Sequence, residues 1–241
     1  MRRLRRAVCA LLSLPLIVLS AAQARGESSL SVTQAFVQGE TLYVYLPVEE
    51  GLTAELYGAE GSIPAANGVQ AVGEAGTPVS YYLLVDDSQS MRSMKRKIES
   101  FASSLAQSSE AGTRFAVLTF GESLEVVQEK TQDADGALAA LRGISYDGQM
   151  TDLPRGVLDA LAYLESEPRE EGELVEAVLI SDGVTEEAAD SPGLEAAQER
   201  ASGASVVLHT LGLATARDVS AQGLSEHSSL GKGVHGEIPT G

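Results

Sequence analysis

The run Tyr81-Tyr82-Leu83-Leu84-Val85 ends in Asp86-Asp87-Ser88-Gln89-Ser90. The Asp-x-Ser-x-Ser spacing puts one carboxylate and two hydroxyls, from Asp86, Ser88 and Ser90, in one loop. A hard divalent cation asks for oxygen donors of this kind. Two further loops offer oxygens at similar places. Tyr146-Asp147-Gly148-Gln149-Met150-Thr151-Asp152 precedes a helical pattern and supplies Thr151, and Ile180-Ser181-Asp182-Gly183 closes a strand pattern and supplies Asp182. Each segment is a weak signal by itself, since Ser-Asp-Gly is a common turn and a lone Thr151 suits a helix cap. Asp87 and Asp152 stand beside these positions and read as solvated loop acids, with support of the site's oxygens by hydrogen bonding as the alternative.

The elements that must carry these loops are legible as alternation. Tyr81–Val85 is an apolar strand, and Met91–Ala106 has helical spacing through Met94, Ile98, Phe101 and Leu105, with Ser90 as its cap. Phe115–Phe120 and Leu124–Val127 are strands joined at Gly121, close enough to be antiparallel. Helices are expected over 134–141 and 153–164, a buried strand over 177–180, a helix over 194–202 and a strand over 206–211. A last helix near 219–228 and a strand near 234–238 complete the series. Alternating β and α units predict an α/β fold: an open, mostly parallel six-stranded sheet with helices on both faces. Ligands of such sheets sit at the carboxyl ends of the strands, where the three loops lie.

Upstream, residues 25–78 form a small β-rich segment. Its hairpin is expected over 29–33 and 41–46 around Gln38-Gly39-Glu40, with further strands at 53–57 and 69–72 and a loop around Gly61-Ser62-Ile63-Pro64. At about 50 residues it is small for an independent domain.

Taken together, the three loops resemble the metal-ion-dependent adhesion site of the von Willebrand factor type A domain, and residues 79–241 are similar to that domain as a whole. The resemblance implies a Rossmann-like sheet. It also implies a metal site in which Asp86, Ser88, Ser90, Thr151 and Asp182 hold Mg2+ or Mn2+. The hydroxyls would bind directly, and the aspartates directly or through water. In one respect the chain departs from the pattern: Gly148-Gln149-Met150-Thr151 lacks the glycine that many relatives carry immediately before the threonine.

At the N-terminus, Arg2, Arg3, Arg5 and Arg6 precede an uncharged apolar stretch from Ala7 to Ser20 and the small-x-small triplet Ala22-Gln23-Ala24. This is the pattern of a signal peptide over residues 1–24, giving a secreted or extracytoplasmic (cell-surface) protein with no membrane span in the mature chain; an uncleaved signal anchor is the alternative. The only cysteine, Cys9, lies too early in that stretch for lipid attachment, so the mature chain has neither a disulfide nor a thiol nucleophile. Removing the four arginines from 17 basic residues leaves 13 against 34 acidic ones, a net charge of −21. Such a charge disfavours nucleic acid and anionic membranes as partners.

The function expected is protein binding without catalysis: an external Glu or Asp completes the coordination of the cation. A metal-independent module of envelope assembly is the alternative. A hydrolase fits less well, because His209, His227 and His235 fall in no catalytic spacing and the Ser229-x-x-Lys232 match is faint.

Overall fold

The computed structural model describes residues 34–38, 41–45, 56–58, 61–63, 71–186, 190–204, 206–213 and 235–238. The chain divides into two compact units, residues 32–46 with 72–241 and residues 1–31 with 47–71. The larger unit opens with a hairpin of β1 (Gln34–Gln38) and β2 (Thr41–Tyr45), paired antiparallel from Gln34↔Tyr45 to Gln38↔Thr41. In the smaller unit, β3 (Leu56–Gly58) and β4 (Gly61–Ile63) form another antiparallel pair.

The rest of the larger unit alternates β and α. Strand β5 (Val79–Asp86) leads through a 3-10 turn (Gln89–Met94) into α1 (Lys95–Ser108). Then come β6 (Arg114–Phe120), β7 (Leu124–Thr131), α2 (Ala134–Arg142) and α3 (Leu153–Ser166). Strand β8 (Leu174–Ser181), α4 (Gly193–Gly203), β9 (Val207–Leu213) and β10 (His235–Ile238) follow.

Six strands form one sheet in the order β10-β9-β8-β5-β6-β7, parallel except for the antiparallel edge pair β6 and β7. The α/β architecture is therefore the one the sequence predicts. β5 sits at its centre, apolar on both faces because helices cover both. On one face Tyr82, Leu84, Leu118 and Leu179 meet α3 and α4 through Val157, Leu161 and Ala197. On the other face Leu83, Val85, Val117 and Ile180 meet α1 and α2 through Ile98, Ala102 and Leu141. Each buried Leu, Ile or Val among these contributes roughly 1.5–3 kcal/mol relative to exposure. Among the described residues no helix is long and apolar enough to cross a membrane.

Several local expectations shift. The segment expected as one helix from Met91 begins as a 3-10 turn, and α1 starts only at Lys95. Ser90 lies inside that turn rather than capping it. Two contacts tighten the chain there: the Met91 amide donates to the Ser88 carbonyl at 3.1 Å, and the Gln89 amide to Gly148 at 3.2 Å. Gly61–Ile63, read as loop, is a strand, and Val72 stands in a turn rather than in a strand. The expected strand at 29–33 and helix at 219–228 lie outside the described residues; the hairpin's first strand is Gln34–Gln38.

The hairpin packs on the segment leading into β8. Gln34 Nε2 donates to the Val175 carbonyl at 3.4 Å, Gly172 N donates to Gln38 Oε1 at 2.9 Å, and the Tyr45 hydroxyl donates to the Gly172 carbonyl. Gly172 has φ +67°, and a Cβ there would lie 2.7 Å from the Tyr43 ring, so glycine is required twice over.

Beside this contact, Glu173 is wholly buried and accepts from Ser80 Oγ, from Lys130 Nζ at 2.9 and 3.2 Å, and from the Glu170 amide at 2.8 Å. Burial alone would raise its pKa, but these hydrogen bonds and the Lys130 charge outweigh burial and hold it below the usual carboxylate value. A lowered folded pKa gives stability that is complete above the unfolded value and is lost as pH falls through the folded one. Replacement of Glu173 by Gln is expected to lower unfolding stability near neutral pH by about 2 kcal/mol. Urea titrations should show this gap closing as the pH falls below about 4. A gap that stays constant with pH would mean that the charge of Glu173 does not matter.

Candidate metal centre

Register brings the three loops together. β5 pairs Asp86 with Phe120 on β6, and Val85 with Ile180 on β8. The loops after β5 and β8 therefore leave the sheet side by side, and Gly121 follows Phe120 at the same level. α1 covers one face and α3 the other, so the chain diverges at this point, as at the switch point of an open α/β sheet.

Asp86 is fully buried at the tip of β5. Its Oδ1 accepts from the Ser88 amide at 3.0 Å and from the Thr151 hydroxyl at 3.1 Å. Its Oδ2 accepts from the Ser181 hydroxyl at 2.7 Å. Burial pushes the carboxyl pKa up, the bonds from Ser88 and Ser181 oppose that, and the Asp182 charge adds to the rise. Among the described residues no Lys, Arg or His forms an ion pair with Asp86.

The other expected positions surround it. Ser88 Oγ lies 3.0 Å from Ser90 Oγ on the solvent side of the loop. Thr151 is buried against Asp86. Asp182 is half-buried and its Oδ1 accepts from the Val184 amide at 3.0 Å. It is linked to Asp86 through its charge rather than by a hydrogen bond. Four of the five are thus joined by hydrogen bonds in one cluster, with Asp182 alongside.

The second loop is fixed from below and from the side. Tyr146 is buried with φ +52°, an unusual conformation for an aromatic residue. Arg92 Nη2 donates to its carbonyl at 3.0 Å, and Lys95 Nζ to that of Ile144 at 2.9 Å, so the 3-10 turn and α1 grip this loop. Gly148 then bridges Ser88 in parallel, its amide donating to the Asp87 carbonyl at 3.2 Å. A Cβ on Gly148 would stand 2.6 Å from Asp87 Oδ1, and one on Gly121 2.4 Å from the same atom. The glycine displaced from Thr151 therefore serves close approach to the first loop.

Three residues carry more than their sequence signal suggested. Ser181 was visible only as part of a turn, yet its hydroxyl bonds Asp86 and accepts from the Gly183 amide at 3.0 Å. Asp152 is buried, not a solvated acid: it caps α3, accepting from Arg155 N at 3.1 Å and Ser191 Oγ at 2.8 Å. Asp87 is half-buried, and its Oδ1 is a buried atom with no hydrogen-bond partner among the described residues. Burial, then the charges of Asp86, Glu125 and Asp147, pushes its pKa up to about 6.

The donor set fits a hard cation. Neutral hydroxyls from Ser88, Ser90 and Thr151 stand beside a buried carboxylate and a half-buried one, with no basic side chain paired to Asp86 among the described residues. Among the described residues there is no cluster of three or more His, Cys, Asp or Glu able to hold a metal, so a cation here would rest largely on hydroxyls.

Residues 81–184 match the model of the von Willebrand factor type A domain. Solved structures share the fold at low identity. The conserved hypothetical protein BatB from Bacteroides thetaiotaomicron aligns with TM-score 0.52 at 19% identity, over 69% of this chain and 92% of that one. A von Willebrand factor type A protein from Catenulispora acidiphila gives 0.53 at 20% identity, over 67% of this chain and 38% of that one. The SpRpn10 VWA domain gives 0.50 at 16% identity, over 68% of this chain and 89% of that one. No curated protein matches the sequence. The sheet and its helices thus have the type A fold.

Asp152→Ala removes the α3 cap and the anchor of Ser191 together. A loss of about 1–2 kcal/mol in unfolding free energy is expected, read by chemical denaturation. Wild-type stability in this variant would show that the cap contributes nothing.

Proposed function

We propose that the protein binds a divalent cation, Mg2+ or Mn2+, at Asp86, Ser88, Ser90, Thr151 and Asp182, and uses it to hold a carboxylate of a partner protein. The observation that carries this reading is the buried Asp86, bonded by hydroxyls and an amide from three loops and paired with no basic side chain among the described residues. A cation bound there would supply a Lewis-acidic position for an external Glu or Asp. The neutral hydroxyls leave the cation with residual positive charge, which suits gripping a carboxylate better than generating hydroxide. Binding, not catalysis, is therefore the activity proposed. His209 Nε2 faces Glu176 Oε2 at 3.2 Å within the sheet; the His227 and His235 side chains lie outside the described residues. The type A fold is one often used for protein interaction, and the N-terminal pattern supports action outside the cytoplasm.

One observation favours a second reading, metal-independent assembly. Asp86 has three donors from within the protein, Ser88 N, Thr151 Oγ1 and Ser181 Oγ. The two readings separate in one experiment. Isothermal titration of the purified protein with Mg2+ should show one site, abolished in Asp86→Ala and weakened roughly 10–100-fold in Thr151→Ala. Partners captured in Mg2+ should be released by chelator. Capture that survives both chelator and Asp86→Ala would replace the cation mechanism with assembly.

A further inference from the structure

The loop after β8 does more than deliver Asp182. Three residues beyond it, Thr185 places its hydroxyl between two backbone groups of the second loop. Thr185 Oγ1 donates to the Thr151 carbonyl at 3.1 Å and accepts from the Leu153 amide at 3.2 Å. One hydroxyl can do both, having one proton and two lone pairs. Next to it, the Glu186 amide donates to the same Thr151 carbonyl at 2.7 Å. On the far side, the Asp152 amide donates to the Gly121 carbonyl at 3.2 Å. Residues 151–153 are thereby held on both flanks, and the Thr151 side chain left between them donates to Asp86.

The Leu153 amide sits in the first turn of α3, where helical amides have no partner within the helix. A solvent molecule would satisfy such an amide equally well. A threonine from the neighbouring loop achieves something different: it ties the position of Thr151 to the loop that carries Asp182. Ser191 and Arg155 reinforce the tie further along, the first through Asp152 Oδ1 at 2.8 Å and the second through the Asp190 carbonyl at 2.7 Å.

We infer that Thr185 is a positioning residue, whose hydroxyl clamps the loop before α3 to the loop after β8 so that Thr151 and Asp182 meet a divalent cation as one preformed unit. This rests on the cation reading given above. The clamp acts through the backbone of Thr151 and touches neither cation nor partner.

The test uses Thr185→Val, which keeps the shape and removes the hydroxyl, Thr185→Ala as a second deletion, and Thr185→Ser, which restores the hydroxyl. Mg2+ affinity is measured by calorimetry on each purified protein, and hydrogen exchange at the Leu153 amide is followed without metal. The expected result is affinity weakened about tenfold or more in the Val and Ala variants, faster Leu153 exchange in both, and near wild-type values in the Ser variant. A purely structural role would lower the thermal midpoint while leaving affinity unchanged, and that result overturns the inference. Equal losses in Ser and Val would assign the effect to the methyl group and overturn it too. If wild type itself binds no Mg2+, the cation reading fails along with the clamp's purpose, whereas wild-type binding with an unaltered Val variant sinks the clamp alone. If the Val variant does not fold, the Ala and Ser pair decides the question.

Discussion

A carboxylate buried at the end of the central strand, with no basic partner among the described residues, is the constraint around which this end of the molecule is arranged. An ionised group out of water requires donors at close range, or it becomes neutral. Asp86 obtains them from three places far apart in sequence: Ser88 beside it, Thr151 ahead of α3 and Ser181 at the tip of β8. Each donor is neutral. Removing any of these loops leaves part of the carboxylate unsatisfied, so the parallel register of β5 with β8 and the entry of α3 are bound to one interaction.

That dependence explains the glycines and the strained tyrosine nearby. For Thr151 to reach Asp86, the second loop must lie almost on top of the first, and only Gly148 and Gly121 allow the backbones that close around Asp87. The positive φ of Tyr146 turns the chain into that approach, and Arg92 and Lys95 hold the turn by bonding its carbonyls. At the other end of the loop Gly156 lets α3 settle on Phe120, where a Cβ would come within 2.6 Å of the ring. Close packing of helix on sheet and close packing of loop on loop are thus solved with the same residue type.

The sheet and the oxygens of the first loop were legible because both are written in local patterns. β5, β6 and β8 are apolar runs with abrupt ends, and Asp86, Ser88 and Ser90 share one pentapeptide. What stayed hidden depends on tertiary contact. Ser181 has an ordinary turn sequence, and its bond to Asp86 comes only from the β5–β8 register. Asp152 resembles any loop acid until α3 places it at the cap, with Ser191 brought back from a separate loop. The 3-10 turn in place of a straight helix entry likewise results from Gly148, about sixty residues downstream, accepting from the Gln89 amide. Periodicity cannot report a partner supplied from elsewhere in the chain.

Two buried carboxylates at opposite ends of the sheet differ in how their charge is met. Glu173, near the opposite ends of the strands, is buried beside Lys130, and its pKa is held down. Asp86 is buried with hydroxyls and an amide instead, and its pKa is raised, with Asp182 adding further negative charge. Hydroxyls stabilise a carboxylate but do not neutralise it. In one sheet, then, one end carries its own counter-charge, while at the other Asp86 and Asp182 stand together with no basic side chain paired to Asp86 among the described residues. Among the described residues Asp86 has no lysine or arginine partner, so the cation proposed for this site would supply the charge that its neighbouring hydroxyls do not.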